Sequence, residues 1–112
     1  MSDYSAMSDF EINHAVAKLI SLKLQSVSSL LYNKTGNWEI FDPCNNPADA
    51  WPIIMANKIS LMFDRSLEDG CNAEWCLASS PCDQIIVDHV IPDKILRAAM
   101  IVFLMMKESS HA

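Results

Sequence analysis

The stretch PDKILRAAMIVFLMM, Pro92 to Met106, decides the fold. Pro92 and Asp93 open a helix, since proline suits a first helical turn and an acidic residue suits the helix dipole there. Ile95, Leu96, Ala99, Met100, Phe103, Leu104 and Met106 then cover far more than one stripe. Ile101, Val102 and Met105 fill much of the remaining circumference. A helix that is apolar nearly all round is either buried centrally or shared with a partner. Lys107 suits its C-terminal end. The rest of the chain is therefore expected to wrap this helix.

Working outward, the N-terminal element is the clearest. Ser8-Asp9-Phe10-Glu11 is a capping box, with Met7 and Ile12 at the two positions of a hydrophobic staple. Apolar residues at Phe10, Ile12, Ala15, Val16, Leu19 and Ile20 predict a first helix starting near Asp9 and ending between Ser21 and Gln25. His14, beside the polar Asn13, is expected to face solvent. Ser28–Asn33 and Trp38–Phe41 flank the turn-like Lys34-Thr35-Gly36-Asn37 and predict a hairpin. Asp42 to Pro47 is a loop rich in Asx and Pro, and Asn46-Pro47 reads as an N-cap followed by proline at the first helical position. The helix it opens runs to about Asn57, and Pro52 is expected to break or kink it.

Lys58–Phe63 alternates and predicts a strand with Ile59, Leu61 and Phe63 on one face. Ala73–Ala78 predicts a second strand antiparallel to it. Residues 64–72 and 79–83 are expected as loops, the latter a turn around Pro81. Gln84–Asp88 is either a third short strand or a loop crossing the core. Residues 1–7 and 108–112 are expected as flexible ends. The expected architecture is α+β: one domain, with a small antiparallel sheet packed against two to three helices.

Composition narrows function. The chain has 112 residues, fourteen acidic against eight basic, and a net charge of −6. No Lys/Arg stripe is present to neutralise phosphates, which argues against nucleic-acid partners and anionic membranes. The longest uncharged apolar run, Ala98–Met106, is far short of the roughly 20 residues a membrane span needs. The start of the sequence lacks the pattern of a signal peptide, so a cytoplasmic location is expected. The four cysteines, Cys44, Cys71, Cys76 and Cys82, are then expected as free thiols.

Chemistry-bearing patterns are sparse. Two isolated glycines cannot form a phosphate-cradling loop, and no nucleophile or metalloprotease motif occurs. The cysteine spacings do not match a zinc site, so no cofactor and no metal is expected. No side chain is assigned a catalytic role. The candidate ligand or partner site is the cluster Asp42, Asn45, Asn46 and Asp49 with Trp51. Short oxygen-bearing side chains this close together suit a hard cation or a small polar ligand. Turn and cap chemistry wants the same residue types and is the first account of them. Trp51, with Trp38 and Phe41 nearby, is an aromatic patch for a partner or, in the first account, part of the core edge.

FDPCNNPADAWPII (Phe41–Ile54), YSAMSDFEINHAVAKL (Tyr4–Leu19) and LRAAMIVFLMM (Leu96–Met106) together resemble the NinX-type proteins of lambdoid phages and their prophages. The stretch Asp64–Asp88 stands apart from that pattern. The resemblance implies a phage or prophage accessory protein in a bacterial cytoplasm. The family has no assigned activity, so the resemblance carries over no catalytic residue. Two functions are expected from these residues. The first is protein binding, to a host factor, a phage protein or a second copy. A homodimer through the 93–107 helix would cover its outer face and use its Met100, Met105 and Met106 surface. The second is binding of a small molecule or metal, with or without catalysis, at the Asp42–Trp51 loop.

Overall fold

A computed structural model describes residues 3–20, 31–34, 37–70 and 72–110. Among these described residues three α-helices and five strands follow in the order α1 (Asp9–Leu19), β1 (Leu31–Lys34), β2 (Asn37–Ile40), α2 (Pro47–Asn57), β3 (Ser60–Arg65), β4 (Glu74–Ser79), β5 (Ile86–Val90) and α3 (Ile95–Ser110). The class is α+β, as the sequence predicts.

α3 is the hub. Every residue from Ala98 to Leu104 is at most 7% exposed. α1, α2, β4 and β5 all pack against it. The burial that the sequence assigned either to a central position or to a second copy is thus supplied within the chain.

α1 begins as its capping box dictates. The Ser8 side chain accepts from the Glu11 N–H at 3.1 Å, and Glu11 accepts from the Ser8 N–H at 3.0 Å. The helix stops earlier than expected, at Leu19, with Ile20 as its cap. The 21–25 range expected to hold that end lies outside the described residues, as do Thr35 and Gly36 of the expected hairpin turn. The hairpin itself is present, with Lys34 paired to Asn37 and Leu31 to Ile40.

α2 corrects a second expectation. Asn46 caps it by accepting from the Ala48 N–H at 3.0 Å, and it runs unbroken through Pro52. Proline removes the bond to the Ala48 carbonyl. Both Ala48 and Pro52 lie on the exposed side, so that carbonyl faces water. The helix ends at Lys58, which takes a left-handed conformation (φ 56°), while the Ile59 N–H returns to the Ile54 carbonyl at 3.0 Å.

β3, β4 and β5 form an antiparallel sheet in that order. Asp64 and Arg65 belong to β3 and Ser79 to β4, so both expected loops are shorter than 64–72 and 79–83. Gln84–Asp88 resolves into a strand shifted two residues on. Between Cys76 and Ala78 the β4–β5 register shifts by one residue, a β-bulge in which Asp88 and His89 stand against Leu77, and His89 takes φ 56° there. Leu61 packs against the core, but Phe63, expected on the same buried face, is 59% exposed at its rim. Of the stretches expected as flexible ends, Tyr4–Ala6 forms a 3-10 turn and α3 continues to Ser110. The Tyr4 hydroxyl donates to Glu108 at 2.9 Å.

Candidate functional site

The loop 42–46 follows β2 and turns tightly before α2. Its turn is closed by its own backbone: the Asp42 carbonyl accepts from the N–H groups of Asn45 (3.1 Å) and Asn46 (2.7 Å). Asp49, in the first turn of α2, reaches back and accepts from the Asp42 N–H at 2.9 Å and the Asn46 side chain at 3.3 Å. Asp42, Asn46 and Asp49 are therefore brought together, and they serve each other.

Asn13 binds this loop to α1. Its side-chain amide donates to Asp42 Oδ1 at 2.7 Å, and its oxygen accepts from the buried Cys44 N–H at 3.0 Å. Asn13 is only 4% exposed. The Asn45 side chain bridges onward, donating to Asp42 and, at 3.1 Å, to Asp9 Oδ2. Asp9 in turn holds Arg97 of α3 in a 2.7 Å ion pair. Arg97 also donates to the Met7 carbonyl at 2.6 Å, and more distantly to those of Tyr4 and Ser5. One polar chain thus runs from α3 through α1 to the loop.

Its electrostatics follow from that geometry. Burial alone raises the Asp9 carboxyl, but hydrogen bonds from Asn45 and Arg97, with the charges of Arg97 and Lys94, outweigh it and hold it below its ordinary value. The Cys44 thiol is pushed up to about 12, first by burial and then by the Asp9 charge. A thiol held protonated is inert as nucleophile or metal ligand. Among the described residues no three His, Cys, Asp or Glu side chains stand together as a metal site.

Trp51 stands apart from the cluster. It projects from α2 and is 54% exposed, whereas Phe41 is buried. The two do not form one exposed aromatic patch, and the Trp38 side chain lies outside what the structure describes. A ligand at this loop would need a pocket lined by Asp42, Asn45, Asp49 and Trp51. The depression beside the loop, about 230 Å³, is lined by Asp9, Phe10, Asn13, Ile40, Phe41, Asp42 and Asn45 instead. A larger cavity of about 490 Å³ lies between the N-terminal turn, β5 and the start of α3, with Met7, Val87, Val90, Lys94 and Arg97 among its walls.

Sequence reasoning missed Asn13, Asp9 and Arg97. Two signals were present. Asn13 falls on the α1 face that buries Ile12, Val16 and Ala17, and Arg97 is the one charge between Ile95 and Met106. His14, expected to face solvent, is half-buried and stacks on Phe10 with ring centres 6.3 Å apart. No helix among the described residues is long and apolar enough to cross a membrane.

The fold is shared. A phage protein from Bacillus cereus ATCC 14579, solved at 2.0 Å, superposes with a TM-score of 0.56 over 96% of this chain and 93% of its own, at 15% identity. A search of curated proteins finds no relative. The model of the family described as Bacteriophage P22, NinX matches residues 3–107. That span takes in α1, α2, both sheets of the described residues and α3 as far as Lys107, and on it the chain belongs to the NinX family of phage proteins.

Proposed function

We propose that this phage accessory protein acts by binding another protein, and that the outer face of α2 carries the contact. One observation supports the reading. α2 buries Ala50, Ile53 and Ile54 on one side, while Ala48, Trp51, Pro52 and Met55 stand exposed on the other. Their spacing of three, four and seven residues makes a single stripe. Asp49 is the only charge in the helix. A helix apolar on two faces has one face left to cover. Tryptophan and methionine are enriched where interfaces are fully desolvated, and tryptophan often anchors them. The chain's charge of −6 favours a partner with a basic rim, such as a host factor or another phage protein.

A ligand or metal at Asp42, Asn45, Asn46 and Asp49 is the weaker reading, because those side chains already satisfy one another, the start of α2 and the side chains of Asp9 and Asn13 on α1. The test is affinity capture from host lysate with the native chain and a Trp51→Ala variant. Both side chain and surroundings are exposed, so the variant keeps its fold. A partner held by the native chain and weakened more than about tenfold by Trp51→Ala supports the reading. A partner held equally by both, or none above a heat-unfolded control, refutes it.

A further inference from the structure

β3 and β5 are the two edges of the three-stranded sheet, and they differ. β5 carries the bulge, the left-handed His89 and the exposed Asp88, all features that discourage pairing with another strand. β3 keeps an unbroken six-residue register with β4.

The direction of its backbone groups follows from one bond. The Ser66 N–H crosses to the Ala73 carbonyl at 2.9 Å. In an alternating antiparallel ladder, Ser60, Met62 and Asp64 then also turn N–H and C=O towards β4, and Leu61, Phe63 and Arg65 turn theirs outward. The outward Arg65 N–H is taken by the Asp64 carboxylate at 2.8 Å. The Ile59 N–H, next in that row, is taken by the Ile54 carbonyl. Among the described residues, the N–H and C=O of Leu61 and Phe63 remain open.

We propose that a second copy of this chain pairs with that edge, antiparallel and two-fold symmetric, with Met62 on the axis. The two three-stranded sheets become one of six. Leu61 stands opposite the partner's Phe63 and Phe63 opposite the partner's Leu61, so four N–H···O=C bonds close between the four open pairs of groups. Placing Phe63 on the axis would need the Arg65 N–H, and placing Leu61 there would need that of Ile59. Both are committed. A slip of a single residue would turn the core face of one sheet to the solvent side of the other.

The side chains agree with this register. Leu61 and Phe63 lie on the sheet face of Ala78 and Cys76, their β4 partners. Phe63 gains the partner's Leu61 as cover. On the opposite face Met62, half exposed, meets its own copy, and the Ser60 hydroxyl faces the partner's Asp64 carboxylate. Apolar and hydroxyl–carboxylate cross-strand pairs of this kind are favourable. Two chains of −6 repel, so added salt strengthens the pairing. The edge acts independently of the α2 face.

Sedimentation equilibrium of the native chain, Met62→Lys and Phe63→Pro tests the proposal, with circular dichroism to confirm folding. Met62→Lys sets two cations face to face, and Phe63→Pro removes an N–H that β4 does not use. A concentration-dependent native dimer, weakened on the order of tenfold or more by each substitution, is expected. Residue choice for crosslinking tests the register. In a Cys71→Ser/Cys76→Ala/Cys82→Ser background, which removes the thiol opposite residue 63, Met62→Cys pairs lie about 4.5 Å apart between Cα atoms and form an intermolecular disulfide on mild oxidation. Phe63→Cys pairs, on the diagonal at about 7–8 Å, do not. A native chain monomeric at roughly 0.5 mM overturns the proposal. So does a dimer indifferent to both substitutions, or crosslinking through Phe63→Cys in place of Met62→Cys.

Discussion

Replacing Asn13 with alanine is expected to destabilise the fold more than any other polar substitution on α1. The side chain makes two bonds in a site that is 4% exposed. Its donor bond to the Asp42 carboxylate, at 2.7 Å, is charge-assisted and its loss costs about 1–2 kcal/mol. Its acceptor bond from the Cys44 N–H, at 3.0 Å, is buried. Removing it leaves that N–H without a partner, which adds about 1–3 kcal/mol. The sum is about 2–5 kcal/mol, or a fall of roughly 8–20 °C in Tm for a domain of this size. Urea unfolding followed by circular dichroism gives the free energy, with an unchanged denaturant slope confirming that the native state is still compact. Asn13→Asp keeps an acceptor for Cys44 but sets carboxylate against carboxylate. Adding Asp42→Asn returns a donor and is expected to recover at least about 1 kcal/mol over the single variants summed. An Asn13→Ala chain within about 0.5 kcal/mol of the native one would show that the loop is not held through this side chain.

Two further outcomes follow from the same polar chain. The Asp9 carboxyl is held below its ordinary value of 3.8 in the folded state, so its contribution to stability is full above that value and fades as pH falls through the lower folded one. Stability measured from neutral pH down to about pH 2.5 should therefore show an acid limb that Asp9→Asn reduces, and an identical limb in the variant contradicts the assignment. In a Cys71→Ser background, a thiol reagent at neutral pH should label the exposed Cys82 quickly, with Cys44 and Cys76 reacting only on unfolding. Fast labelling of Cys44 in the native state would rule out its burial beneath Asp9.

Local chemistry was legible in the sequence wherever partners lie within a few residues. The Ser8–Glu11 box, the Asn46 cap and the β3–β4 pairing needed no knowledge of distant residues. Pro52 misled because its penalty depends on which way the freed carbonyl faces, and that is set by the packing of α2 on α3. The Asx cluster illustrates the same limit in the candidate site. Asp42, Asn46 and Asp49 signalled a turn and a cap correctly. The residue that anchors them, Asn13, sits 29 positions before Asp42, and its side chain is satisfied only by that long-range contact. Trp51 carried no signal for its direction either. Helical position decides it, and the opposite side of α2 was already filled by Ala50, Ile53 and Ile54.

The central position of α3 has a consequence for how the protein is made. Its helix comes last among the described elements, yet α1, α2, β4 and β5 all pack on it. While a ribosome is still extending β5, α1, α2 and the sheet have no common surface to close upon. At roughly 5–20 residues per second they wait for seconds, half apolar and unpacked, within reach of chaperones and proteases. A stop or frameshift upstream of Ile95 therefore yields no smaller working domain, because the nascent chain has nothing to fold around.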